Sequence, residues 1–327
     1  MAAFKVFVTR KIPESGIKFL EEKGHKVKVY SKDKVITRAE LEKGVQWCDA
    51  LLPLLTDPID ATLMDMNKNL KVIANYAVGF NNIDIKAATE RKIPVANTPD
   101  VLTDAVADHA CTLMMSIARR IVESDKFMRA GKYKGWEPFL LLGSDVKGRT
   151  LGIVGAGRIG SAVAERMYKG FGMKIIYYNP EKNPQIEQAT NAQFVSLQDL
   201  LKQSDFISIH VPLLKETTHL ISTSELSMMK KTAYLINTAR GPIVDEKALT
   251  LALQNNQIAG AGLDVFENEP NMEEGLKKLK NVIVTPHTAS ATWDAREAMS
   301  MTAAQNIQAV ADGKMPANLV NKELMPK

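Results

Sequence analysis

The stretch TLGIVGAGRIG, residues Thr150–Gly160, joins a short apolar, β-branched run to a glycine-rich turn and the start of a helical pattern. The apolar run has the composition and length of a buried strand. After the turn, Ile159, Val163 and Met167 recur at helical spacing on one stripe. A second strand-like run, Lys174–Tyr178, follows at the distance expected of a β-α-β unit. The stretch therefore predicts a parallel sheet covered by helices.

The glycines of this turn have the G-x-G-x-x-G spacing that, between a strand and a helix, is typical of dinucleotide binding. Gly155 allows the tight turn, Gly157 lets the backbone approach a pyrophosphate, and Gly160 lets the helix pack closely on the strand. The free N–H groups at the helix start then face the phosphates. We predict cofactor contacts from Gly155, Gly157, Arg158, Ile159 and Gly160.

The residues after the second strand determine how the adenosine ribose is held. A NAD-selective site usually has Asp or Glu there, whereas this chain has Asn179-Pro180-Glu181-Lys182. Asn179 can hydrogen-bond a ribose without repelling a 2′-phosphate, Lys182 can pair with that phosphate, and Glu181 opposes it. Asn179, Pro180 and Lys182 are therefore predicted cofactor contacts, and the segment does not choose between NAD and NADP.

Strand-like runs alternate with helical patterns along most of the chain, which indicates an α/β fold with parallel sheets. The predicted strands are Lys5–Thr9, Lys26–Tyr30, Ala50–Leu52, Val72–Ala74, Ile93–Ala96, Thr150–Val154, Lys174–Tyr178, Phe206–His210, Ala233–Asn237, Ala259–Val265 and Val282–Thr285.

The chain has 327 residues, which is long for one hydrophobic core and natural for two. Two longer helical patterns interrupt the alternation, Thr103 to about Arg129 and Ser290 to Asp312. We expect the chain to cross between domains where each begins. Residues 1–102 and 290–327 would then form a substrate domain, and residues 103–289 a dinucleotide-binding domain.

The composition excludes several classes of protein. No apolar run approaches the roughly 18 residues of a membrane helix. The net charge of +5 is evenly spread, and the basic segment Lys26–Lys34 lacks an aromatic ladder, so we expect neither a membrane nor a nucleic-acid partner. Cys48 and Cys111 lie in apolar segments and are predicted to be buried thiols of a cytoplasmic protein. No residue spacing indicates a metal site.

Three predicted strands of the second domain end in segments that each deliver one candidate catalytic residue. The segments are INTARG (236–241), GLDVFENEP (262–270) and TPHTAS (285–290). Ligands bind at the carboxyl ends of strands in open α/β sheets. We therefore expect Arg240, Glu269 and His287 to lie in one site.

Together with the glycine turn, with YAVGFNNID (76–84) and with VLTDAVADH (101–109), these segments resemble the D-2-hydroxyacid dehydrogenase family over nearly the whole chain. The resemblance implies two Rossmann-like domains with parallel sheets and an active site in the interdomain cleft. It also implies a homodimer built around the first long helix and the apolar loop after it, which contains Trp136–Leu142. The implied reaction interconverts a 2-keto acid and its D-2-hydroxy acid with a nicotinamide cofactor.

The resemblance gives each catalytic residue a role. Arg240 would hold the substrate carboxylate and polarise its keto oxygen, for which the planar donor fork of Arg is suited. His287 would protonate that oxygen as hydride arrives, and Glu269 would orient His287 and favour the imidazolium. The backbone N–H groups of Val78 and Gly79 would bind the carboxylate. Further predicted cofactor contacts are Thr103, His210, Pro212, Thr217, Thr238, Ala239, Asp264, His287 and Ala289; His210 is included because it ends a strand, and it matches no catalytic motif.

The segment LLPLLTD (51–57) indicates the substrate. The phosphoglycerate and corepressor branches of the family tend to carry Arg-Ser where this chain has Leu54-Leu55, a pair that resembles the glyoxylate/hydroxypyruvate reductase branch. Two leucines offer no charge to a phosphate, so we predict that Leu54 contacts glyoxylate, hydroxypyruvate or a similar small 2-keto acid. The alternatives are a D-lactate or 2-ketogluconate type dehydrogenase and, from another class, an NAD(H)-sensing binding protein like the corepressor branch.

Overall fold

The computed structural model describes residues 2–325. The chain divides into two compact units, one formed by the residues up to Leu102 and from Ala291 onward, the other by Thr103–Ser290. Ser290, which the predicted boundary assigns to the first domain, falls in the second unit. The second unit is thus one continuous segment, and the first is assembled from both ends of the chain.

The first unit contains a sheet flanked by helices. Its strands, numbered along the chain, are β1 (Lys5–Val8), β2 (Lys26–Val29), β3 (Ala50–Leu52), β4 (Val72–Ala74) and β5 (Val95–Ala96), and its helices are α1 (Glu14–Glu22), α2 (Arg38–Trp47), α3 (Ala61–Asp65), α4 (Ile85–Glu90) and α12 (Trp293–Ala311). All strand pairs are parallel, in the order β2-β1-β3-β4-β5, which is the flavodoxin-like winding.

Helix α12 belongs to this unit because it packs on α1 and β4. The contact with α1 is close: a Cβ on Gly16 would lie 2.2 Å from the carbonyl oxygen of Ser300. The Ser300 hydroxyl also donates to the carbonyl of Pro13 at 2.7 Å. Helix α12 therefore packs against elements from the first hundred residues of the chain.

The second unit contains a larger sheet. Its strands are β6 (Thr150–Val154), β7 (Lys174–Tyr178), β8 (Gln193–Phe194), β9 (Phe206–Ile209), β10 (Tyr234–Asn237), β11 (Gly260–Leu263) and β12 (Val282–Val284), and its helices are α5 (Thr103–Ala118), α6 (Ile121–Arg129), α7 (Arg158–Phe171), α8 (Pro184–Thr190), α9 (Leu197–Gln203), α10 (Thr223–Met228) and α11 (Glu246–Gln254). All strand pairs are parallel, in the order β12-β11-β10-β9-β6-β7-β8.

The strand order reverses direction between β6 and β9, which is the topological switch point of a Rossmann fold. Strands β9, β10 and β11 are buried throughout, as expected of parallel strands covered on both faces. Helices α5 and α7 cover one face, where Leu113, Met114 and Met167 are buried. On the other face, Leu200 of α9 and Leu249 of α11 are buried. The α/β class and the two parallel sheets are thereby confirmed.

The single helix predicted from Thr103 to about Arg129 is wrong. It is divided into α5 and α6 at Arg120, whose φ of +52° is left-handed. The carbonyl of Ala118, which would accept the N–H of Val122 in a continuous helix, accepts the N–H of Ser144 at 2.8 Å instead. A hydrogen bond from a later loop thus ends α5, and no local sequence pattern announces it. The strand β8 is also missed, because it is a short, exposed edge.

The prediction of two buried thiols is correct for Cys48 only. Both cysteines are free, but Cys111 is partly exposed. Burial raises the pKa of the Cys48 thiol to about 12 and that of Cys111 to about 11, so neither is a ready thiolate. Among residues 2–325, no helix is long and apolar enough to span a membrane.

Candidate active site

The glycine turn lies at the carboxyl end of β6, beside the switch point. Gly155 has a φ of +97°, and a Cβ there would lie 2.8 Å from the backbone of His210. A Cβ on Gly160 would lie 2.2 Å from the carbonyl oxygen of Gly155. By contrast, a Cβ on Gly157 would meet no heavy atom of the described chain within 4 Å. The fold thus requires glycine at 155 and 160, whereas at 157 it leaves an open space over the backbone.

The start of α7 suits an anionic ligand. Gly157 is the N-cap residue and supplies no side-chain hydrogen bond to the first turn. Because the first N–H groups of a helix have no acceptor within that helix, the start of α7 and the positive end of its dipole suit a phosphate. Thr238, which follows β10, points to a ligand in another way: its hydroxyl is buried and has no hydrogen-bond partner within the described chain. A buried polar group without a partner is costly, and a bound dinucleotide would relieve that cost.

The segment after β7 is connected to the glycine turn. The Asn179 side-chain amide donates to the carbonyl of Glu181 at 3.0 Å, which closes this loop on itself. Asn183 donates from its side chain to the carbonyl of Ala156 at 2.7 Å. Pro180 and Lys182 are exposed. Asn183 was missed by sequence reasoning, although its position just before a helix that starts with proline is a recognisable capping signal.

The predicted contacts on the other side of the switch point lie on one loop after β9. The Thr217 hydroxyl donates to the carbonyl of Pro212 at 2.7 Å and accepts from the N–H of Leu214 at 2.8 Å. The imidazole Nε2 of His210 lies 2.8 Å from the Ser208 hydroxyl. Burial lowers the pKa of His210 to about 3, so this imidazole is neutral at working pH.

Glu269 and His287 are in direct contact. A carboxylate oxygen of Glu269 lies 2.9 Å from Nδ1 of His287, and both side chains are partly exposed. Because Nδ1 faces Glu269, Nε2 is the nitrogen left to exchange a proton with a substrate. Burial raises the pKa of Glu269, but the hydrogen bond and charge of His287, with smaller help from Arg240, outweigh it and hold that pKa below its usual value.

Asn237, the last residue of β10, holds the loop that carries Arg240. The Asn237 side chain accepts from the N–H of Ala239 and donates to the carbonyl of Arg240, both at 3.0 Å. A Cβ on Gly241 would lie 1.9 Å from the carbonyl carbon of Phe266, so this loop packs against the segment that leads to Glu269. Burial lowers the pKa of the Arg240 guanidinium, and the charge of Glu269 partly offsets that effect.

The side chain of Asp264 holds the loop that carries His287. It is fully buried and accepts the N–H groups of Thr288 and Ala289, both at 2.8 Å, and the hydroxyl of Thr285 at 2.6 Å. Asp264 and Ala289, both predicted cofactor contacts, are hydrogen-bonded to each other, so they lie together on this loop. Thr103, another predicted cofactor contact, is the first residue of α5 and is partly exposed.

In the first unit, the loop after β4 offers backbone N–H groups to a ligand. The side-chain amides of Asn97 and Asn75 donate to the carbonyls of Val78 at 2.7 Å and Gly79 at 2.8 Å. The N–H groups of Val78 and Gly79 have no acceptor among residues 2–325. Two adjacent N–H groups in a loop held by its carbonyls can bind a carboxylate.

Leu54 lies on the neighbouring loop after β3. Its N–H donates to the buried carboxylate of Asp57 at 2.9 Å, and burial raises the pKa of that carboxyl group. Leu54 lines a cavity of about 320 Å³ together with Lys11, Tyr76, Trp293 and Arg296, among others. This cavity therefore has two cationic residues that inspection of the Leu54 segment alone does not reveal.

A family model described as "D-isomer specific 2-hydroxyacid dehydrogenase, NAD binding domain" matches residues 111–289. The glyoxylate reductase of Thermococcus litoralis is 53% identical over 98% of this chain and 98% of its own length. A crystal structure of a Thermus thermophilus protein superposes with a TM-score of 0.91 at 44% identity, covering 97% of this chain and 99% of that one. An NADPH-dependent glyoxylate/hydroxypyruvate reductase of Sinorhizobium meliloti, in complex with NADP and malonate, has a TM-score of 0.85 at 30% identity and covers 100% of this chain and 99% of its own.

Proposed function

This chain belongs to the D-isomer specific 2-hydroxyacid dehydrogenase family, and we propose that it reduces glyoxylate, hydroxypyruvate or a similar small 2-keto acid to the D-2-hydroxy acid with NADH or NADPH. The contact of 2.9 Å between Glu269 and Nδ1 of His287 carries this proposal. It leaves a proton donor of the required type, and the partly buried Arg240 is near enough for its charge to act on Glu269. The names of the similar enzymes support the substrate class.

Each residue of the site has one task in the proposed reaction. When bound, NADH or NADPH would provide the hydride that the keto carbon receives. Arg240 binds the substrate carboxylate, with the N–H groups of Val78 and Gly79, and polarises the keto oxygen. His287 gives the proton on Nε2 to that oxygen, and Glu269 stabilises the imidazolium before transfer. In the reverse direction His287 takes the proton back, because the same atoms serve both directions.

A substrate panel tests the reaction. Activity should be measured with NADH and NADPH on glyoxylate, hydroxypyruvate, pyruvate, 2-ketogluconate and 3-phosphohydroxypyruvate. We expect the highest kcat/KM on glyoxylate or hydroxypyruvate. The phosphorylated acid is the critical comparison, since Lys11 and Arg296 line the cavity beside Leu54; a clear preference for it would refute the proposed substrate. Binding of NADH without turnover of any keto acid would favour the NAD(H)-sensing alternative.

The open space above Gly157 gives a test of cofactor binding. We expect Gly157→Ala to weaken NADH or NADPH binding while the protein stays folded, because its Cβ meets only space that the pyrophosphate would fill. Gly170→Ala is the matched control: it lies on the same helix, its Cβ also meets nothing, and Ala stabilises a helix by up to about 1 kcal/mol relative to Gly. Titration of cofactor fluorescence measures both variants. Equal affinities in the two would contradict the proposed site.

We also propose that the protein is a cytoplasmic homodimer. Trp136 and Phe139, in the loop between α6 and β6, expose 82% and 83% of their surfaces. Such a concentration of large apolar side chains is typical of a partner surface. The two free cysteines suit a reducing compartment. Sedimentation at low concentration tests the dimer, and a monomer would contradict it.

A further inference from the structure

His109 has no place in the reaction described so far, yet it touches the site. It lies on α5, which packs on β11 and β12. Its Nε2 is 3.1 Å from the Thr285 hydroxyl and 3.4 Å from a carboxylate oxygen of Asp264. Asp264 directly follows β11, and Thr285 directly follows β12. The contact therefore joins the helix to the strand ends that carry the candidate active site.

The hydrogen bonds among His109, Thr285 and Asp264 determine which imidazole nitrogen of His109 carries a proton. Asp264 is ionised: burial raises the pKa of its carboxyl group, but the hydrogen bonds from His109, Thr285 and the loop amides outweigh burial and lower it. A carboxylate only accepts, so the single hydroxyl proton of Thr285 is donated to Asp264 at 2.6 Å. The Thr285 oxygen is then an acceptor for His109. Nε2 of His109 must accordingly carry a proton.

The same cluster holds the backbone around His287. The side chain of Asp264 accepts from the two residues after His287, and its main-chain carbonyl accepts the N–H of His287 at 2.9 Å. His287 has a φ of +54°, a left-handed conformation that is unfavourable for a residue with a side chain. Such a conformation persists only where surrounding contacts impose it. Asp264 supplies these contacts, and His109 and Thr285 fix the position of its carboxylate.

We propose that His109 is a positioning residue for the proton donor: through Thr285 and Asp264 it holds the loop that sets the backbone conformation of His287. Its role in turnover rests on the proposed function, whereas its role in the loop does not. His109 would add a helix-borne residue to a catalytic set, Arg240, Glu269 and His287, that lies on segments after strands. This role also explains why a polar side chain is directed inward on a helix whose neighbouring positions, Val106, Ala110 and Leu113, are buried in the core.

Two substitutions of His109 distinguish a positioning role in catalysis from a role in packing alone. His109→Leu removes the N–H but keeps a side chain that favours helix, whereas His109→Gln keeps a terminal N–H at similar reach. Since a neutral hydrogen bond contributes about 0.5–1.5 kcal/mol, we expect His109→Leu to lower kcat about two- to tenfold with little change in KM for the keto acid. His109→Gln should recover most of the loss. Thr112→Val, at an exposed position of the same helix, is the control and should leave kcat unchanged.

Two readouts do not depend on turnover. The imidazole ¹⁵N spectrum should show Nε2 of His109 protonated, and amide hydrogen exchange at Thr288 and Ala289 should be faster in His109→Leu than in His109→Gln. An unprotonated Nε2, unchanged exchange, or equal loss of kcat in both variants would overturn the inference. If the unaltered protein reduces no keto acid while these two readouts behave as expected, the proposed function fails and the positioning role stands.

Discussion

His287→Asn is expected to lower kcat on the preferred keto acid by about 10²–10⁴-fold, the range typical of losing a general acid. The reason is geometric. Nδ1 of His287 lies 2.9 Å from Glu269, so Nε2 is the nitrogen left to give a proton to the substrate, and Asn offers no replacement for it. Because the proton is needed only as charge develops on the keto oxygen, kcat and kcat/KM should fall together. Steady-state kinetics at saturating cofactor measures both.

Glu269→Gln is the matched partner of this variant. It keeps the shape of the side chain and removes the charge, so the imidazolium loses its negative partner. The basic limb of the reductive pH profile should therefore move to lower pH, while kcat at acidic pH is largely retained. The pKa of the Glu269 carboxyl group is held below its usual value, so Glu269 keeps its charge at neutral and mildly acidic pH. It loses that charge only when the pH falls through the lowered pKa. An unchanged pH profile in Glu269→Gln, or normal kcat in His287→Asn, would refute the assigned roles.

Arg240→Ala is expected to lower kcat/KM for the keto acid by about 10³-fold. The partly buried guanidinium is the cation assigned to the substrate carboxylate. Losing one partner of a hydrogen-bonded charge pair that ligand binding buries costs about 2–5 kcal/mol, with 1.4 kcal/mol per factor of ten. Arg240→Lys should recover only a small part, since a point charge does not replace a planar pair of donors.

The control for Arg240 is Arg129→Ala. Arg129 is exposed on α6 and pairs with Asp125, so its loss removes one positive charge from the protein without touching the site. Its kcat/KM should match that of the unaltered protein. Thermal unfolding checks that the Arg240 variants stay folded, which is a real concern because Gly241 packs directly on Phe266. Unchanged kcat/KM in a folded Arg240→Ala would exclude the proposed mechanism.

Much of the fold follows from local patterns. The bounds of β3, β4, β6 and β7 agree with the sequence predictions, because short apolar runs bounded by turn residues have few alternatives in a parallel sheet. The glycine spacing indicates a cofactor for a similar reason: two of the three positions are fixed by contacts within a few residues or in the adjacent strand.

Contacts that depend on tertiary structure were beyond sequence reasoning. The pairing of Glu269 with His287 was expected only through the family resemblance, since the two are far apart in the chain. The end of α5 is set by Ser144, and Asp264 is occupied by the loop it supports. His109 matches no catalytic motif, although it ends one of the segments that resemble the family. In each case the deciding partner comes from a distant segment, which no periodicity can reveal.

The assembly of the first unit from both ends of the chain has a consequence for synthesis. Helix α12, which packs on α1 and β4, is translated after the whole of the second unit. The second unit is one continuous segment and can fold before then, because domains generally fold as units during translation. In a nascent chain stalled ahead of α12, proteolysis should find Thr103–Ser290 protected while the segment translated first is still being cut.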